Sequence, residues 1–66
     1  MKIIINGEEK EIEEGISLSN LLEQLHIKDK VMAAAINMEI VKKEQWSSYT
    51  PQEGDKLELL EFVGGG

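Results

Sequence analysis

Sixty-six residues make one small domain, and no cysteine with a single histidine excludes a disulfide framework, a thiolate nucleophile and a zinc site of ordinary ligands. Thirteen acidic residues against seven basic ones give a formal charge of −6, the wrong sign for displacing counterions from nucleic acid. No apolar run approaches the roughly 20 residues a bilayer span needs, and the opening MKIIINGEEK turns acidic too early for a secretory signal. The expectation is a soluble, cytoplasmic protein with no nucleic-acid and no membrane partner.

The first predicted element is a hairpin, KIIIN-GEEKEIEE, turned at Asn6-Gly7 because both residues tolerate positive φ. Ile3 and Ile5 share one face and Ile4 takes the other, with Ile12 the clearest inward residue of the second strand. The charged run Glu8 to Glu14 reads as a solvated edge strand protected against aggregation, not as a binding site. Gly15 breaks the strand, and SLSNLLEQLHI begins a helix with Ser17 as its N-cap. Leu18, Leu21, Leu22 and Leu25 form one apolar stripe at helical spacing. His26 follows at the helix end, near the negative pole, and without a partner it reads as a surface residue.

KDK is a polar loop, and VMAAAIN reads as the third strand. Alanines are poor strand formers, so their small size matters instead: it lets another element, or another protein, approach the sheet. MEIV supplies a short fourth strand after a turn at Asn37, and KKEQWSSYT a helical turn with Trp46 and Tyr49 over one end of the core. TPQEGD is turn chemistry, and KLELLEFV is the last strand. The periodicities converge on a core of Ile3, Ile5, Leu18, Leu22, Leu25, Ile36, Leu57 and Leu59. Leu60 and Phe62 are left on the open sheet face as a partner-docking patch; the alternative for Phe62 is that it folds back over a core edge. Strand, strand, helix, strand, short strand, helical turn and strand describe an α+β domain over residues 1–63, with one main helix on one face of a mixed four- to five-stranded sheet. Residues 64–66 form a flexible glycine tail, unless they are a frayed terminus or a cloning remnant.

That element order is the β-grasp, or ubiquitin-like, arrangement. INGEE at the first turn, SLSNLLEQL on the helix, AAAINMEIVKKEQW across the third and fourth strands and EGDKLELLEFVGGG at the end resemble the sulfur carrier proteins of thiamine biosynthesis, the ThiS family. The small subunit of molybdopterin synthase shares the fold and the Gly-Gly end, and a plain ubiquitin-like interaction module shares everything but the need for a free terminus. The ThiS resemblance implies a carrier and not an enzyme. A ThiF-type adenylating enzyme, using ATP, would activate the carboxylate of Gly66, a persulfide donor acting through that enzyme would convert it to a thiocarboxylate, and a ThiG-type thiazole synthase would take the sulfur. Gly64 and Gly65 would thread both active sites, and no cofactor would be bound by the chain itself. It has no Gly-x-x-x-x-Gly-Lys phosphate loop with which to use ATP alone.

Overall fold

The computed structural model describes residues 1–61. The strands are β1 (Lys2–Ile5), β2 (Glu8–Glu11), β3 (Val31–Ile36), β4 (Glu39–Val41) and β5 (Lys56–Glu61). They form one five-stranded sheet in the order β2-β1-β5-β3-β4, with β1 and β5 parallel and the other neighbours antiparallel. One α-helix, α1 (Leu18–Gln24), lies between β2 and β3, and short 3₁₀ turns cover Lys28–Lys30 and Lys43–Gln45. The first of these replaces the expected loop at KDK, with Lys30 and Val31 both donating to the Ile27 carbonyl.

The first hairpin turns as the sequence requires, with φ of 49° at Asn6 and 85° at Gly7. Asn6 does a second job. Its backbone N–H donates to the Leu57 carbonyl, and its side-chain Oδ1 accepts from the Leu59 N–H at 2.8 Å. The turn therefore continues the β1–β5 pairing by two bonds after β1 itself has ended. Asn37 braces the other side of β5 in a similar way: its Oδ1 accepts from the Lys56 N–H at 3.0 Å while its Nδ2 donates to Asp55 at 3.1 Å. Both asparagines are legible in the sequence as turn residues, but their side-chain bonds to a strand far along the chain are not.

α1 is only two turns long, so its ends matter as much as its apolar face. Ser17 Oγ accepts from the Asn20 N–H at 3.1 Å, as expected of an N-cap. The N–H groups of Leu18 and Ser19 donate to the carbonyls of Tyr49 and Trp46. The helical turn after β4 thus supplies acceptors that the helix start lacks. Trp46 is held in place by its own ring N–H, which donates to the Val41 carbonyl at 3.0 Å in a buried setting.

At the other end of α1, His26 takes φ of 60°. The Ile27 N–H donates to the Leu22 carbonyl and the His26 N–H to that of Glu23, the paired bonds of a Schellman termination with His26 at the left-handed position. The sequence puts His26 at the helix end and on the surface, where it is exposed, but its left-handed backbone is not legible there. A left-handed residue bearing a Cβ costs about 1–2 kcal/mol relative to glycine. His26→Gly should raise the urea midpoint by the equivalent of roughly 0.5–1 kcal/mol at constant m-value. A lower midpoint would show that the imidazole makes a contact worth more than the backbone relief.

The core lies between α1 and the sheet. Ile3, Ile5, Leu18, Leu22, Ile36 and Leu57 are buried as expected, joined by Ile12, Ile16, Leu21, Val31, Ala34, Val41 and Trp46. Leu25 and Leu59 depart from the expected core: both are only half-buried and pack against its margin. Leu25 is the helix C-cap, where the chain already turns away, and Leu59 lies on β5 beyond the last residue pair with β1. β2 is an exposed, wholly charged edge strand, Glu-Glu-Lys-Glu.

Candidate functional site

The candidate site is the open face of the sheet where β5 runs toward the chain end. Along β5, Leu57 is buried against the helix side, Glu58 is exposed, Leu59 is half-buried and Leu60 is 61% exposed. This alternation puts Leu60 on the face away from α1, as expected. Phe62, Gly64, Gly65 and Gly66 lie outside the described residues.

Strand register supplies Leu60 with neighbours. Ala33 lies directly opposite it on β3, and Ala35 opposite Glu58 on β5 and opposite Ile40 on β4. Ala33 and Ala35 are half-buried, whereas Ala34 between them is buried on the helix side. The small residues thus serve both expectations: one admits the helix, and two leave a shallow floor on the open face. Ile40, 70% exposed, extends the apolar surface around that floor, and Met32 on β3 is 56% exposed. Met32 stands at a shift of register between Val31 and Ala33, the mark of a β-bulge. Ile40 was readable from alternation with buried Val41. The register shift beside Met32 has no sequence signal.

An isolated apolar side chain on a surface is ordinary, but Leu60 and Ile40 over an alanine floor form a patch. The charge near it is carried by Glu58. Among the described residues, no group of three or more His, Asp and Glu side chains comes together as a metal site. The titrations that shift belong to an ion pair and to packing. The Met1 ammonium and the Glu11 carboxylate meet at 2.8 Å, which raises the first and lowers the second, and burial raises the Tyr49 phenol.

The family model for the ThiS family matches residues 3–66, nearly the whole chain. The chain belongs to the ThiS family. The sulfur carrier protein ThiS of Escherichia coli is 36% identical over 66 residues, all of both chains. Two proteins named thiazole synthase, from Paramagnetospirillum magneticum and Magnetococcus marinus, are 38% and 35% identical over the same 66 residues. The chain spans 20% of the length of each of those two relatives. Among solved structures, the crystal structure of the thiamine biosynthesis protein ThiS from Geobacter metallireducens superposes with a TM-score of 0.79 at 27% identity, each chain covered in full. The solution structure of a thiamine biosynthesis protein from the same organism gives 0.77 at 26% identity, covering all of this chain and 88% of the other. The five-stranded sheet with one helix is therefore the β-grasp fold of ThiS. The matched range takes in Gly64, Gly65 and Gly66 as well as Leu60 and Phe62.

Proposed function

We propose that this ThiS-family chain carries sulfur for the thiazole moiety of thiamine as a protein substrate, with its reactive group on Gly66. The observation that carries this reading is a family match that continues through the three glycines, combined with a β5 strand that leads to them past an exposed apolar patch. A carboxylate is ionised and unreactive at neutral pH, so it needs activation. In the proposed reaction the Gly66 carboxylate attacks the α-phosphate of ATP on a ThiF-type enzyme, releasing pyrophosphate and forming an acyl-adenylate. The terminal sulfur of a persulfide displaces AMP to give an acyl disulfide, and a thiol then reduces its S–S bond to leave the thiocarboxylate. Thiazole synthase is the proposed acceptor. Two relatives bearing that name contain a stretch matching all of this chain, which supports a working association between the two activities.

Glycines suit the task. An ordering step at each enzyme opposes binding, so affinity must come from the folded body. We assign that role to the patch around Leu60, with Phe62 as its expected continuation. Leu60→Asp should weaken binding to the activating enzyme by roughly tenfold or more, by placing a charge in a desolvated contact. Its thermal unfolding should be unchanged, because Leu60 contributes little to the core. Unaltered affinity would move the interface elsewhere.

The proposal as a whole is tested by intact mass. Incubation with a ThiF-type enzyme, ATP and a persulfide donor should exchange one oxygen for sulfur, localised to the last peptide. The same incubation with the C-terminus blocked should leave the mass unchanged. A chain that supports thiazole formation with its terminus blocked would be an interaction module instead.

A further inference from the structure

The parallel pairing of β1 on β5 stops early. Its residue pairs are Ile4 with Lys56 and Ile5 with Leu57, whereas β5 continues to Glu61. The carbonyls of Asp55 and Leu57 and the N–H of Leu59 all face the β1 side, where Ile4, Asn6 and the Asn6 side chain meet them. Backbone groups of a strand face one neighbour at every second residue. The Leu59 carbonyl and the Glu61 N–H therefore face the same side, past the point where β1 has turned into the hairpin. A groove runs beside this edge, with half-buried Leu25, Ile27 and Leu59 among its apolar lining and Glu8 and Glu61 among its charged groups. Lys10 also lines it and lies 3.8 Å from Glu8, leaving the acids in excess.

We propose that the edge of β5 at Leu59 and Glu61, which no strand among the described residues covers, is a strand-addition site for an extended segment of thiazole synthase, whose backbone pairs where β1 leaves off. This rests on the carrier reading above. Two features select an enzyme that receives the tail over a second copy of this chain, and the two relatives named thiazole synthase, each containing a stretch that matches all of this chain, favour that enzyme as the occupant. Gly66 is the fifth residue after Glu61, a reach of about 17 Å when extended, so the wall of whichever active site receives Gly66 must come close to this edge. The groove is acidic in a chain of charge −6, which disfavours another copy and favours a segment carrying lysine or arginine. Side chains on an added strand alternate, so apolar residues would face Leu25, Ile27 and Leu59 while the next ones stay out.

Glu61→Pro tests this, because it removes the Glu61 N–H that faces this edge and leaves the β3-facing groups of Leu60 intact. Glu61→Gln keeps that N–H and removes only the charge. With thermal unfolding as the check on folding, the proline variant should bind thiazole synthase roughly tenfold more weakly than the glutamine variant. In the wild-type complex, hydrogen exchange at the Glu61 amide should slow relative to the free chain. Equal affinities of the two variants, or unchanged exchange at Glu61 in a saturated complex, would overturn the edge proposal while leaving the carrier reading standing. A wild-type chain that does not bind thiazole synthase at all would instead overturn the partner assignment on which it rests.

Discussion

Leu22→Ala should remove most of the stability of this domain. Leu22 has no exposed surface, and it faces the sheet from the middle of α1. Truncating a fully buried leucine costs roughly 2–5 kcal/mol, the transfer of the lost carbons plus the cavity they leave. A chain of this length has a total stability of about 3–10 kcal/mol. Its helix has only seven residues and cannot persist once it loses its packing. Leu57→Ala should be as damaging, since Leu57 is equally buried and sits on the central strand between β1 and β3. Leu59→Ala should cost clearly less, about 1–2 kcal/mol, because its side chain is already half in water. Urea titrations at a common m-value give the order directly. A Leu59→Ala midpoint as low as that of Leu22→Ala would mean that the margin of the core is as closely packed as its centre.

How far the fold was legible follows from which interactions are local. The Asn6-Gly7 turn, the Ser17 cap and the leucine stripe are short-range patterns, and each is found where the residues place it. Ile16, Val31, Val41 and Trp46 also join the core, yet they sit at element ends or in turns where no period applies. Trp46 is the instructive case. An aromatic in a polar stretch signals cover for a core edge, but its ring N–H bond to Val41 and the carbonyls its turn lends to α1 depend on the assembled domain. Leu25 and Leu59 show the opposite failure: periodicity marks a direction, and burial also needs a neighbour on that side. At the site, Leu60 was readable from alternation along β5. Small alanines beside it are expected as well, whereas the register that sets Ala33 opposite Leu60 and Ile40 opposite Ala35 is fixed by no local pattern.

Removing Gly66 alone should suppress thiocarboxylate formation by about 100-fold or more while leaving the fold untouched. The truncated chain still ends in a glycine carboxylate, so the chemistry on offer is the same and only its position changes. Losing one residue withdraws the reacting carbon by about 3.5 Å when the tail is extended and the body is docked. Nucleophilic attack on a bound phosphate is sensitive to displacements of about 1 Å, and a body docked through the proposed Leu60 patch cannot follow without giving up that docking. Stability should not change, because the buried core among the described residues runs from Ile3 to Leu57. Gly65→Ala separates length from shape: the reach is kept, but a methyl group is added to the segment proposed to enter the active site and φ is restricted. That variant should dock with near wild-type affinity and turn over slowly. Intact mass against time, with equal concentrations of the activating enzyme, ATP and sulfur donor, distinguishes the three chains. Thiocarboxylate formed at the wild-type rate without Gly66 would show that position along the tail does not matter, and the assignment of the reactive carboxylate to Gly66 would fall with it.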